Sequence, residues 1–142
     1  MNIDILIKQG VLNAIQTIYN TEIESDTIQI QLTRKEFDGD LTVVIFPYTR
    51  FSKKNPEQTG TDIGEFLINN VELITSFNVV KGFLNLVISS KYWINELSIA
   101  LDDSQFGFKN IDQNSPVAMV EYSSPNTNKP LHLGHIRNNL LG

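Results

Sequence analysis

The sequence predicts an α+β fold, in which an antiparallel four-stranded sheet is packed with helices and is followed by the first strand and helix of a second, α/β domain. Two observations predict it. Segments with a period of two occur in pairs, and a segment with a helical period precedes each pair, which is typical of hairpins covered by helices. A polar stretch then separates this pattern from a nearly unbroken apolar run, which is typical of a strand buried on both faces of a parallel sheet.

In the first part of the chain, apolar residues at three- and four-residue steps predict a helix from Ile3 to Tyr19. Alternating apolar and polar residues predict a strand over 28–32, and a second strand is predicted over 41–46. Asp38-Gly39-Asp40 supplies turn residues between them, so we expect a hairpin. Pro47 should end its ladder because proline cannot donate a hydrogen bond.

A second helix is predicted after Asn55-Pro56-Glu57, because asparagine is a good helix cap and proline fits the first helical position. It should end near Asn70. Strands are predicted over 74–81 and 83–89, and a third helix over 91–101. We expect this domain to close near the end of that helix.

The polar residues 102–115 predict a linker, and we place the domain boundary within them, giving domains 1–112 and 113–142. In the second, Pro116-Val117-Ala118-Met119-Val120 predicts a buried strand, and Pro130 fits the first turn of a helix that runs to Leu141. A lone strand and helix cannot bury both faces, so we expect the chain to be a fragment of a longer protein.

The composition excludes several classes of protein and site. The chain has 142 residues, 41% hydrophobic and 19% charged, and no cysteine, which excludes collagen, coiled coils, disulfide scaffolds, thiolate metal cages and a catalytic cysteine. A formal net charge of −5 argues against a chain that coats nucleic acid, although a local basic patch remains compatible. No apolar run approaches the roughly 20 residues that span a bilayer, and no signal peptide is visible. We therefore expect a cytoplasmic protein with no membrane partner.

His132-Leu133-Gly134-His135 lies at the predicted start of the last helix. Free backbone N–H groups and the helix dipole favour an anion there, and Gly134 lets a flat ring or a phosphate approach the backbone. The pattern is compatible with a polyphosphate site. The alternatives are a metal-binding pair and two incidental surface histidines, and the pattern alone does not decide between them.

The string from Val120 to Arg137 closely resembles the signature of arginyl-tRNA synthetases, class I enzymes whose "HIGH" motif follows the first strand of a Rossmann-like catalytic domain. Leu133 stands where the motif name has isoleucine, which is a conservative apolar exchange. The front of the chain resembles the additional N-terminal domain of these synthetases, and Gly82-Phe83-Leu84-Asn85 is similar to a short motif of that domain.

This resemblance implies roles for the histidines. His132 and His135 would contact ATP and stabilise the charge that develops on its α-phosphate when arginine attacks to give arginyl-adenylate, with Gly134 in the same ATP-binding set. Lys129 matches a family lysine whose ammonium suits the ATP phosphates, and a solvated loop lysine is the alternative. The implied cofactors are ATP as a substrate and Mg²⁺ accompanying it, with no protein metal site and no prosthetic group.

The resemblance also implies an arginine site. Glu121, Ser124 and Asn126 match positions around the arginine pocket of the family, where a carboxylate and polar groups hold a guanidinium or an α-amino group. For Glu121 and Ser124 a structural role in the loop is the alternative.

Phe83 and Asn85 alternate with apolar residues along the fourth predicted strand, so we expect an aromatic ring beside an amide on its exposed face. A ring can stack on a base, and an amide can hydrogen-bond to its edge. The family's N-terminal domain is similar in holding a D-loop base at the tRNA elbow with such a pair. A core role for Phe83 is the alternative.

Arg50, Lys53 and Lys54 lie close together in the sequence, and Lys81 follows the third predicted strand. These cations could contact tRNA phosphates, and the alternative is an ordinary solvated surface.

The sequence thus predicts the N-terminal part of an arginine–tRNA ligase, which activates arginine with ATP and transfers it to its tRNA. We expect this fragment to bind the tRNA elbow without catalysing either step, and we expect a monomer whose partners are arginine tRNA, ATP and L-arginine. The competing hypothesis is a free-standing RNA-binding or protein-interaction module.

Overall fold

The structure, a computed structural model, describes residues 3–142. The chain forms two compact units, of which the first ends at Phe106 and the second comprises Gly107–Gly142. In chain order the helices and strands are α1 (Ile3–Tyr19), β1 (Ile30–Leu32), β2 (Leu41–Val44), α2 (Thr49–Ser52), α3 (Pro56–Asn70), β3 (Ile74–Val80), β4 (Phe83–Ile88), α4 (Ser90–Asp102) and α5 (Leu133–Leu141).

The four strands form one sheet in the order β1-β2-β4-β3, and every neighbouring pair is antiparallel. The predicted antiparallel four-stranded sheet is therefore confirmed. The β3–β4 ladder contains a bulge between Ile74 and Ser76, where the Thr75 hydroxyl donates to the carbonyl oxygen of Val87 at 3.2 Å.

The strands of the first hairpin are shorter than predicted. β1 begins at Ile30, since the N–H of Ile28 donates to Ser25 at the end of a 3₁₀ turn. β2 ends at Val44, because Ile45 already has helical backbone angles and caps a second 3₁₀ turn over 46–48 that includes Pro47. The short helix α2, which follows this turn directly, was not predicted.

The core lies between the sheet and the helices α1 and α3. Alternate strand residues face it, so one face of the sheet is buried and the other turns away from these helices. Asn55 caps α3 as predicted, with its side-chain oxygen accepting from the N–H of Gln58 at 2.7 Å. The fully buried core side chains of these elements include Ile7, Val11, Ile15, Val43, Ile63, Leu67, Leu84 and Leu86.

Helix α3 lies unusually close to β3. A Cβ atom on Gly60 would be 2.8 Å from Val79, and one on Gly64 would be 2.6 Å from the Phe77 ring. Glycine at these two positions therefore sets how deeply the helix sits on the sheet.

The predicted strand over 116–120 is wrong for this structure. These residues form no ladder within the described chain, and Val117 and Met119 are 97% and 95% exposed. A strand needs a neighbour to satisfy its backbone groups, and the second unit has no other strand among the residues described. A helix does follow, but it begins at Leu133 instead of at Pro130. The assignment of this unit to a Rossmann-like domain stays a prediction.

Helix α4 carries its apolar residues largely uncovered: Trp93 is 44% exposed, Leu97 60% and Leu101 76%. Within residues 3–142 no helix combines the length and the apolar character needed to cross a membrane.

Candidate functional site

A pocket of about 160 Å³ opens on the face of the sheet that turns away from α1 and α3. We call it the outer-face pocket. Its walls come from all four strands, from the turn between β3 and β4, and from the loop 33–40 between β1 and β2, which we call the covering loop. The lining residues are Gln31, Arg34, Phe37, Thr42, Val80, Lys81, Phe83 and Asn85.

Asn85 forms part of this pocket, but the prediction that its side chain is exposed is wrong. Only 2% of Asn85 is exposed. Its amide oxygen accepts from the Thr42 hydroxyl at 2.6 Å, and its amide nitrogen donates to the Asn78 side-chain oxygen at 2.8 Å. Because an asparagine amide has two N–H groups and two lone pairs, these two bonds leave one of each unused.

These hydrogen bonds belong to a row of polar side chains that crosses the sheet. Thr42, Asn85 and Asn78 are paired in register on β2, β4 and β3. At one end of the row the hydroxyls of Thr33 and Thr42 lie 3.0 Å apart, and at the other the Asn78 amide donates to the carbonyl oxygen of Asp38 at 2.6 Å. The covering loop is thereby attached to the sheet at two points.

The turn residues of the covering loop fix its path. Gly39 has a φ of +136°, and a Cβ atom there would lie 3.1 Å from the Cβ of Asn85, so only glycine lets the loop lie this close to the sheet. Asp40 then donates its N–H to Leu86 at 2.8 Å and accepts from the N–H of Ile88 at 2.7 Å.

Phe83 is half-buried at the edge of the pocket. Its ring meets that of Phe46 edge to face, with the centroids 5.7 Å apart and the planes at 83°. The exposed cations Arg34 and Lys81 both line the pocket. A pocket that combines an aromatic ring with two positive charges is suited to an unpaired base with its phosphates.

The predicted basic residues lie in and directly after α2. The Arg50 guanidinium lies 4.5 Å above the centre of the Phe51 ring, which is a cation–π geometry. Lys53 is exposed and ends the helix with a φ of +54°.

Lys54 is held more firmly than the other two. Its ammonium lies 2.7 Å from a carboxylate oxygen of Asp62, and the Tyr19 hydroxyl donates to that oxygen at 3.0 Å. Burial and the hydrogen bond to Asp62 raise the pKa of Tyr19. Asp62 therefore offsets much of the Lys54 charge at the surface.

Sequence reasoning missed the residues that the covering loop brings to the pocket, above all Arg34 and Phe37. A signal was present, because the loop is much longer than a two-residue hairpin turn and carries an aromatic residue within a polar stretch.

In the second unit, the two motif histidines cap α5. His132 accepts through Nδ1 from the N–H of Gly134, and His135 accepts through Nδ1 from the N–H of His132, both at 3.1 Å. The ring centroids are 3.9 Å apart. Since each Nδ1 is an acceptor, each neutral ring carries its proton on Nε2 and can donate it to a ligand.

Two of the other predicted residues, Glu121 and Ser124, line a single concavity of about 480 Å³ together with His135. The Ser124 hydroxyl donates to the Glu121 carboxylate. Asn126 instead shapes the following turn, accepting from the N–H of Asn128 through its side chain and from the N–H of Lys129 through its carbonyl. The Lys129 side chain is exposed.

Among residues 3–142, no group of three or more histidine, cysteine, aspartate or glutamate side chains is placed to hold a metal ion. The capping hydrogen bonds also occupy one ring nitrogen of each histidine.

Known proteins resemble the chain along its whole length. An arginine–tRNA ligase of Bacteroides fragilis is 49% identical over 142 residues, which is all of this chain and 24% of the relative. That of Porphyromonas gingivalis is 51% identical over 91% of the chain and 22% of the relative, and that of Flavobacterium psychrophilum is 46% identical over the full chain and 25% of the relative. The chain thus spans about a quarter of the length of these curated relatives.

A solved structure, the arginyl-tRNA synthetase of Thermus thermophilus, has the same fold, with a TM-score of 0.58 at 23% identity over 99% of this chain and 22% of that one. The family model of the arginyl tRNA synthetase N-terminal domain matches residues 6–88, more than half of the chain. The chain therefore belongs to the arginyl-tRNA synthetase family, and its first unit contains the N-terminal domain of that family.

Proposed function

We propose that this chain is the N-terminal part of an arginine–tRNA ligase and that its first unit holds an unpaired D-loop base of arginine tRNA in the outer-face pocket. The relatives that resemble the whole chain carry the name of this enzyme. The observation that carries the proposal is the pocket itself, whose lining combines Phe83 with Arg34, Lys81 and the polar side chains of Thr42 and Asn85.

Each part of the pocket supplies a different interaction with RNA. The ring of Phe83 stacks on the base, which is worth about 1–3 kcal/mol per base. The remaining N–H and lone pair of the buried Asn85 amide meet the edge of the base. Arg34 and Lys81 contact the flanking phosphates, and these contacts position the RNA without reading its sequence.

The residues around α2 extend this interface. Arg50 and Lys53 contact phosphates further along the tRNA, where their positive charges locally offset the net negative charge of the chain. Lys54 contributes less than they do, because Asp62 already neutralises it.

The second unit supplies part of the catalytic site of the parent enzyme. His132 and His135 donate Nε2–H groups to the ATP phosphates, with Gly134 allowing close approach and Lys129 adding a positive charge. Glu121, Ser124 and Asn126 contact the substrate arginine. The Mg²⁺ ion arrives with the nucleotide. The parent acts in the cytoplasm as a monomer on arginine, ATP and arginine tRNA.

A titration of labelled arginine tRNA against the chain tests the first unit. Phe83→Leu keeps apolar packing and removes the stacking ring, and Arg34→Gln removes one charge. We expect Phe83→Leu to weaken binding about 5-fold or more. Arg34→Gln should weaken binding of all tRNAs similarly and lower the slope of log affinity against log salt by about 1.

Lys91→Gln is the matched control for charge, because Lys91 is exposed and follows the opposite end of β4. It should leave the affinity unchanged. Equal binding of the wild type, Phe83→Leu and Arg34→Gln would show that the outer-face pocket does not hold RNA.

A further inference from the structure

Phe46 is an aromatic side chain in contact with Phe83 of the outer-face pocket, and the proposed function leaves it unused. It is 49% exposed and lies in the 3₁₀ turn directly after β2. Because its ring stands edge-on to that of Phe83, the two rings offer stacking faces in two nearly perpendicular directions.

The ring of Phe46 is held in place although half of it is exposed. It rests on the backbone of Gly82, where a Cβ atom would lie only 2.6 Å from its Cζ. The backbone beneath it is fixed, since the N–H of Ile45 donates to Gly82 at 3.0 Å and the Thr49 hydroxyl donates to the Phe46 carbonyl at 2.8 Å. A ring that is already ordered loses little conformational entropy when a ligand stacks on it.

A second concavity, of about 440 Å³, lies beside Phe46, and we call it the Phe46 pocket. Its lining includes Asn55, whose side-chain oxygen already accepts from the N–H of Gln58, and the exposed Glu57. The Glu57 carboxylate suits the amino edge of a base better than a phosphate, because a carboxylate accepts hydrogen bonds and repels anions. The lining residues are Phe46, Asn55, Pro56, Glu57, Lys81 and Gly82.

Lys81 borders both pockets. It lies with Gly82 in the tight turn between β3 and β4, where both residues have positive φ, +49° and +79°. The turn fixes its backbone at a position that lines both pockets, which suits its ammonium to a phosphate that joins a base in one pocket to a base in the other.

We propose that Phe46 and Lys81 form a second nucleotide position, so that the interface takes two consecutive unpaired nucleotides of one RNA strand. One base stacks on Phe83 in the outer-face pocket, the next stacks on Phe46, and Lys81 neutralises the phosphate between them. This inference rests on the proposed RNA-binding function and deepens it by specifying the length of RNA bound and a residue for each base.

The test measures the affinity of the chain for a series of arginine tRNAs in which single D-loop nucleotides are replaced, one at a time, by abasic residues. The variants are Phe83→Leu, Phe46→Leu and Phe46→Tyr, the last of which retains an aromatic face. Phe108→Leu is the matched control, because Phe108 is 77% exposed in the second unit. Thermal unfolding of every variant is recorded beside the titrations.

With the wild type, we expect two adjacent abasic positions each to weaken binding about 5-fold or more. Phe83→Leu should remove the dependence on one of them, and Phe46→Leu the dependence on its neighbour. Phe46→Tyr should restore the wild-type pattern, which excludes loss of folding as the cause.

Other outcomes separate the two proposals. Suppose that a single abasic position weakens binding, that Phe83→Leu abolishes this effect and that Phe46→Leu binds as the wild type does. The proposal of a second nucleotide position is then overturned, and the proposed function stands. The second position is also overturned if both leucine variants lose the dependence of binding on the same nucleotide. If no abasic position matters, both proposals are overturned.

The charge of Lys81 is tested with Lys81→Asn, since asparagine tolerates a positive φ. This variant should lower the salt slope of tRNA binding by about 1 and leave the preference for the two adjacent bases unchanged. An unchanged slope would show that Lys81 contacts no phosphate.

Discussion

Tyr48 carries a polar group that the fold does not satisfy. The residue is 1% exposed, and its hydroxyl has no hydrogen-bond partner among the described residues. A buried unpaired hydroxyl costs free energy that the unfolded chain recovers in water. The ring, in contrast, belongs to the core and stabilises the first unit.

Tyr48→Phe removes this hydroxyl and keeps the ring. We expect the free energy of unfolding to stay the same or to rise by about 1 kcal/mol, as measured by urea denaturation at pH 7. Tyr19→Phe is the matched comparison, because Tyr19 donates to Asp62, and it should cost about 1 kcal/mol. A clear loss of stability in Tyr48→Phe would mean that the hydroxyl is bonded in solution.

The same residue predicts an effect of alkaline pH. Burial raises the pKa of Tyr48 to about 12, above the value near 10 of an unfolded chain. The folded state therefore holds this proton more tightly than the unfolded chain does. The stability that depends on a protonated Tyr48 is fully present below pH 10 and is lost as the pH rises towards 12. Tyr48→Phe should show a smaller loss of stability than the wild type over that interval.

Asn78 is expected to control the covering loop, because its amide donates to Asp38 and accepts from Asn85. Asn78→Ala should speed amide hydrogen exchange in the loop and cost about 1–2 kcal/mol of stability, since it leaves the buried Asn85 amide short of a partner. Asn69→Ala is the control, as it loses a similar bond to a carbonyl on an exposed helix face. Unchanged exchange at Phe37 in Asn78→Ala would contradict this role.

For individual residues, the sequence predicted which side chains share a face of a strand but not how deeply they are buried. Alternation correctly places Phe83 and Asn85 on the face of β4 opposite the core, since side chains alternate along a strand. It cannot show that the covering loop returns over that face. The bond that brings the loop back joins Asp38 and Asn78, 40 residues apart in the chain, and periodicity contains no information about such a contact.

Among the elements, α3 and β3 depend on glycine for their close packing. Gly64→Ala would raise the helix propensity of α3 by about 1 kcal/mol at an ordinary site. Here the added methyl would lie 2.6 Å from the Phe77 ring, so we expect a net loss of about 1–3 kcal/mol from overpacking.

The double variant Gly64→Ala/Phe77→Val provides the control. A smaller side chain on β3 makes room for the methyl, so part of the lost stability should return, as measured by thermal or urea unfolding. A single variant as stable as the wild type would show that the helix can move away from the sheet at little cost.

Elements with strong periodicity, such as α1 and α3, were predicted nearly to the residue because their apolar stripes and the Asn55 cap are local signals. The strand over 116–120 was not, although its composition is that of a buried strand. Composition reports the environment that a segment needs, whereas a ladder requires a second strand, which the described part of this unit lacks.

For the whole molecule, the division into two units predicts that the first unit folds and binds independently of the second. A fragment of residues 1–106 should keep the thermal transition and the proposed tRNA affinity of the full chain, because the sheet, its core, the outer-face pocket and the Phe46 pocket lie within it. A fragment that melts earlier or binds tRNA more weakly would show that Gly107–Gly142 contributes to the first unit.

The full chain should not activate arginine. It carries the two histidines but only about a quarter of the length of its curated relatives, so we expect no ATP–pyrophosphate exchange in the presence of arginine. Exchange above background, lost in His135→Ala, would contradict this expectation.

The edge strands of the sheet affect how copies of the molecule associate with one another. One outer strand, β1, has three residues, and the other, β3, is interrupted by the bulge at Thr75. A short strand and a bulged strand are both poor templates for a strand from another chain. Extended sheets that run from copy to copy are therefore disfavoured, and the molecule has little tendency to aggregate through its edge strands.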